Sequence, residues 1–150
     1  MRPLDGLRAE HEKILAFLDE TENTRDAEEF VRVLDFVRRF VEANHHGKEE
    51  RALFSRMAAD PFLHGMADAL HQDHELGNAL IAEIENALRE HADLAVISDA
   101  FATYARYLRH HIARENTMIF EAVEAVLDER TAAEMLVEFD QIEKEALALR

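Results

Sequence analysis

The chain has no cysteine, so disulfides, thiolate catalysis and sulfur-ligated zinc or iron–sulfur sites are all excluded together. Proline occurs twice and glycine four times in 150 residues, and β-branched runs bounded by turn residues are missing. Because Ala, Leu, Glu and Arg dominate and favour helix, the composition points to an all-α chain. Positive charge is scarce: 17 Lys and Arg stand against 32 Asp and Glu, for a net charge of −15. That field repels phosphate backbones and anionic membrane surfaces, which argues against nucleic acid and membranes as partners, and it favours cations. There is no long uncharged apolar stretch and no apolar segment after Met1-Arg-Pro-Leu-Asp5, so a soluble cytoplasmic protein is the expectation.

Apolar residues make up 48% of the chain and charged residues 33%, a globular balance, and no linker divides it, so residues 1–150 read as one domain. Leu4, Leu7, His11, Ile14, Leu15 and Leu18 recur at helical spacing and predict a first helix over about 4–22. Asp26 with Glu29 resembles a capping box opening a second helix, which carries Phe30, Leu34, Val37, Val41, His45, Glu49 and Leu53 and ends near Asp60-Pro61. A third, over about 62–90, aligns Leu70, His74, Gly77, Ile81, Ile84 and Leu88. A fourth, over about 94–128, aligns Ile97, Phe101, Tyr104, Leu108, His111, Glu115, Ile119, Ala122 and Val126. Short breaks between long helices imply an antiparallel up-down-up-down four-helix bundle over about 4–128. Thr131-x-x-Glu134 reads as a capping box before a short fifth helix over about 131–149, with Leu136, Phe139, Ile142 and Leu147 on its face. This helix is expected to pack outside the bundle or to serve a partner, a second copy or another protein.

Nine histidines direct the functional search. His45-x-x-x-Glu49 followed by Leu53-Phe54 recurs as His111-x-x-x-Glu115 followed by Ile119-Phe120, each position offset by 66 residues. His11-Glu12 is echoed by His74-Glu75 with an offset of 63, so the halves look like one helical hairpin used twice. Residues four apart on a helix stand one turn apart, about 6 Å, on the same side. Each His-x-x-x-Glu therefore aims a nitrogen and a carboxylate at a common point within an apolar stripe, and His11 and His74 lie among leucines and isoleucines. Burying an unpaired carboxylate costs several kcal/mol, and a partnerless imidazole roughly 1–3 more. Two cations would remove that cost: Glu49 and Glu115 can each bridge both, and His11, His45, His74 and His111 can each supply a neutral nitrogen. Nitrogen and carboxylate donors without sulfur suit iron or manganese better than structural zinc, although zinc fits as well.

Single residues carry less weight. A lone histidine on an apolar face is usually a satisfied core residue; the set of six is what points to metal. His46 with Glu50 forms a pair one step out of phase, better read as a solvated or salt-bridged pair. His71 reads as a fifth nitrogen ligand, a hydrogen-bond donor to a ligand, or a solvated residue. His64, His91 and His110 read as surface residues, and Glu12 and Glu75 as partners of surface arginines. Tyr104 either donates to the centre or is core with a wet tip, and Gly47 admits close approach of another group.

The set His11, His45-x-x-x-Glu49, His74, His111-x-x-x-Glu115 resembles the hemerythrin-like HHE cation-binding domains over about residues 7–120. That resemblance implies a four-helix bundle around two iron ions, oxo-, hydroxo- or carboxylate-bridged, that binds or reduces dioxygen, peroxide or nitric oxide. The oxygen carriers of that family have His-x-x-x-His on the third helix and His-x-x-x-x-Asp on the fourth. Here the third offers His71-x-x-His74 and the fourth ends in Glu115, closer to the iron–sulfur-repair di-iron proteins. Two other readings belong beside the oxidant one: a non-catalytic iron or oxygen sensor or iron store signalling through the fifth helix, and a repair-like iron donor.

Overall fold

The structure, a computed structural model, describes residues 2–149, and among them it contains helices and no strand. Helix α1 spans Pro3–Thr21. Helix α2 starts at Ala27, where the Asp26 carboxylate accepts the Glu28 N–H at 3.0 Å, as the sequence predicts for the cap. It continues beyond Phe36 through two π-helical stretches, Val37–His46 and Glu49–Phe54, and ends in Ser55–Ala58. The Asp60 carboxylate accepts from the N–H groups of Phe62 and Leu63, turning the chain into α3, His64–Arg89. Helix α4 spans Leu94–Arg114 and runs on through a π turn, Glu115–Ile119, into Phe120–Glu124. The short connections make sequence neighbours antiparallel, giving an all-α four-helix bundle.

Helix α5, Glu129–Leu147, has 19 residues and begins two residues earlier than the expected 131. Its cap is Asp128, whose carboxylate accepts the Thr131 N–H at 2.7 Å. The Thr131 capping box therefore does not start this helix; an acid three residues upstream reaches the same amide first. Its buried face is Met135, Phe139, Ile142 and Ala146, whereas Leu136 and Leu147 are exposed. It lies against α1 and the π region of α2.

The bundle interior has two apolar clusters. One joins Leu4, Leu7, Leu53, Phe54, Leu70, Ile119 and Phe120 with Met135 and Phe139 of α5. The other joins Ile14, Val37, Val41, Ile81, Ile84, Leu108 and Ile112. Fully burying each such side chain contributes about 1.5–3 kcal/mol. His11 falls between Leu7 and Ile14, and His111 between Leu108 and Ile119, so a polar layer is sealed between two hydrocarbon ones. Close packing of α3 on α4 depends on Gly77: a Cβ there would stand 2.6 Å from the Tyr107 hydroxyl, which donates to the Asp73 carbonyl at 2.6 Å. No helix of the described residues is long and apolar enough to cross a membrane.

Candidate metal centre

All six residues singled out by pattern, His11, His45, Glu49, His74, His111 and Glu115, converge in that polar layer, each at most 1% exposed. Helix α1 supplies His11, α2 supplies His45 and Glu49, α3 supplies His74, and α4 supplies His111 and Glu115. The Glu49 carboxylate lies at the middle. Its Oε1 is 3.3 Å from His74 Nε2 and 3.8 Å from His111 Nε2. Its Oε2 is 3.6 Å from His45 Nε2 and 4.0 Å from His11 Nε2. Glu115 Oε1 lies 3.1 Å from His11 Nε2 and 3.2 Å from His111 Nε2.

A seventh residue joins them. His46 is 1% exposed, stacks on the His74 ring at 3.9 Å and contacts the His111 ring edge-on. The expectation that it is solvated or paired with Glu50 is wrong. The donor atoms fall into two groups, each spanning no more than 4.8 Å: His46, Glu49, His74 and His111, and His11, His45, Glu49 and Glu115. The α2 backbone explains how both His45 and His46 point inward. A π turn closes i→i+5 and holds more residues than an α turn, so consecutive side chains fan out by less than the α-helical 100°. His71 is exposed and belongs to neither group, touching only the edge of Phe54. His64, His91 and His110 are exposed, as are Glu12 and Glu75. Tyr104 is buried with its hydroxyl 3.4 Å from Glu42 and donating to it.

Every one of the five histidines has its Nδ1 beside a side-chain acceptor. His11 meets Asn116 at 2.7 Å, His45 meets Glu10 at 3.0 Å, His74 meets Glu50 at 2.8 Å and His111 meets Asp73 at 3.2 Å. His46 Nδ1 lies 3.3 Å from Glu42, without the alignment of a hydrogen bond. This outer ring was not anticipated, but it has a simple sequence signal. Glu10 and Asp73 each precede a centre histidine by one residue, and Glu50 and Asn116 each follow a centre glutamate by one. A step of one residue turns about 100° round the helix, toward the neighbouring helix, so each serves the histidine of another helix.

With Nδ1 engaged, Nε2 is the atom turned inward. Inside, both oxygens of Glu49, Oε2 of Glu115 and Nε2 of His45 and His46 have no hydrogen-bond partner. Orphaned buried polar atoms are rare because each costs about 1–3 kcal/mol. These are all good donors to a cation, and they face one another, so the residues fit a metal pair. Without a cation, the groups of the layer hold one another's charges. Burial alone would push Glu49 up, but the surrounding imidazoles, His45 first, hold it well below the usual carboxylate range. Burial lowers His74 and His111, yet the nearby carboxylates overcome it and raise them to about 9 and about 11. His46 goes the other way: burial, then the neighbouring His74 charge, hold it neutral.

Residues 2–123 match the family model described as the hemerythrin HHE cation binding domain. No curated protein matches the chain. The matched segment covers α1 to α4 and stops before α5.

Proposed function

Because the chain belongs to the hemerythrin HHE cation-binding family, we propose that it holds two iron ions in the buried layer and binds or reduces a small oxidant, dioxygen, peroxide or nitric oxide. Residues 1–150 act as one domain in this reading. The supporting observation is Glu49, whose two orphaned oxygens face two separate groups of imidazoles. His46, His74 and His111 hold one ion, His11 and His45 hold the other, Glu49 bridges them, and Glu115 reaches across from His11 to His111. His46 thus joins the six residues that pattern alone predicts.

Five nitrogens and two carboxylates without sulfur suit iron or manganese better than structural zinc, whose closed sites usually include cysteine. The two ends differ in donor type: three nitrogens and a shared carboxylate at one, two nitrogens and two carboxylates at the other. Iron supplies the electrons for oxidant binding or reduction. The chain's own groups exclude bulk water with the two apolar clusters and fix each imidazole through its outer acceptor.

The test is metal analysis of protein loaded anaerobically with ferrous iron, then stopped-flow mixing with dioxygen, peroxide and nitric oxide. Two irons per chain and a rapid spectral change with one oxidant are expected. Less than one tenth of a metal per chain sinks the metal reading. Two irons that stay unreactive toward all three sink the oxidant reading and favour a sensor or store.

A further inference from the structure

The two halves of the bundle carry the same three-part device at different depths. In one, Asp73 receives the His111 Nδ1 and pairs with Arg114 at 2.7 Å. In the other, Glu10 receives the His45 Nδ1 and pairs with Lys48 at 2.6 Å. Lys48 and Arg114 share the 66-residue offset of the repeat, and Glu10 and Asp73 share the 63-residue offset. Arg114 is a surface group with its side chain 44% exposed. The Lys48 side chain is only 9% exposed, because α5 lies over it.

One face of helix α5 covers that lysine. The Lys48 ammonium sits 5.9 Å from the Phe139 ring centroid and 4.0 Å from the Glu143 carboxylate. One residue before it, Gly47 lets α5 come close: a Cβ there would be 3.3 Å from Ile142 Cγ2. Glu10 Oε2 also accepts from the Asn44 amide at 2.9 Å, so the carboxylate is fixed at both oxygens. The path runs through contiguous contacts from α5 to Lys48, to Glu10, to His45.

Resting on the two-metal reading, we propose that Lys48, clamped by α5, is a positioning residue that fixes Glu10 and through it His45. By this path the C-terminal helix governs how tightly the His11–His45 end holds its ion. A carboxylate behind a ligating imidazole sets its orientation and basicity, and losing such a partner typically costs 10–100-fold in metal affinity. An ion pair excluded from water holds that carboxylate firmly, whereas an exposed one is screened and worth little. The buried copy of the device is therefore the influential one. Because the family match ends before α5, this control is an addition outside the matched segment.

The experiment titrates Co²⁺ into the metal-free full-length chain and follows visible absorption, with helicity of each metal-free variant checked by circular dichroism. His45→Gln identifies the bands of the ion at the His11–His45 end. Lys48→Met is expected to weaken that ion about 10- to 100-fold and leave the other unchanged. Lys48→Arg restores most of the affinity, and Arg114→Met costs less than about fivefold. Phe139→Leu, which loosens the clamp without removing a charge, weakens the same ion more modestly and carries the test should Lys48→Met fail to fold. Equal effects of Lys48→Met and Arg114→Met, or an unchanged titration in Lys48→Met and Phe139→Leu alike, overturn the proposal. Wild-type chain that takes up no Co²⁺ overturns the two-metal reading itself.

Discussion

The two hairpins of this bundle share one sequence pattern but make different ends of the candidate centre. His45, Glu49, Lys48 and Glu10 of one correspond by offset to His111, Glu115, Arg114 and Asp73 of the other. At the position of His46 the second hairpin has Ile112, and at Glu42 it has Leu108. One hairpin thus adds a buried imidazole with a carboxylate behind it, while the other keeps hydrocarbon. The difference teaches that near-twofold chemistry can become asymmetric through a few side chains and one covering helix, with the ligand motifs themselves left intact.

The largest effect that would break this comparison is at the shared glutamate. Glu49→Ala removes the only carboxylate common to both donor groups and is expected to abolish binding of both ions, whereas Glu115→Ala leaves at least one. Metal analysis after loading separates them, and equal residual metal in the two variants would refute the central role of Glu49. Next in size is His46→Leu, which makes the first hairpin resemble the second. Without metal it relieves a buried, unpartnered imidazole and is expected to stabilise the fold by about 1–3 kcal/mol. With metal it lowers affinity at the His74–His111 end. Paired urea melts of the free and loaded forms test this, and a destabilised metal-free variant would contradict it.

The two close-approach glycines differ in what they face. Gly77→Ala drives a methyl into the Tyr107 ring and hydroxyl, at 2.6–2.9 Å, and is expected to cost about 1–3 kcal/mol. Gly47→Ala meets the Ile142 Cγ2 methyl at 3.3 Å, a looser contact than at Gly77, and the helix-propensity gain of about 1 kcal/mol offsets it. Thermal melts in which Gly47→Ala is the more damaging would reverse that ranking. The smallest effect is pH-dependent. His74 is raised to about 9 in the metal-free fold, so its contribution is complete below its unfolded value near 6.5 and is lost as pH rises through about 9. Metal-free chain should therefore have a lower urea midpoint at pH 9 than at pH 6.5, and metal should flatten the trend. A midpoint that rises with pH would show that the carboxylates are not holding that proton.

Much of this was legible along the chain. Apolar periodicity located the four bundle helices to within a few residues, and the doubled His-x-x-x-Glu with two single histidines marked the residues that meet inside. Three features were not legible. His46 looks like the outward neighbour of His45 on an α-helix, and only the wider π turn brings both rings inward. Asp128 displaced Thr131 as the cap because its carboxylate takes the Thr131 N–H, which the Glu134 side chain would have held in the predicted box. The outer acceptors escaped because each serves a helix other than its own.

What the amino acids determined alone is the helical class, the order of the helices and the six donors on their inner stripes, because all of these follow from spacing along a single helix. Tertiary structure decided the rest: which oxygen of Glu49 faces which imidazole, that His46 joins the centre, and that Lys48 is buried while Arg114 stays in water. Those outcomes depend on distances between helices and on what α5 covers, and local periodicity carries no information about either.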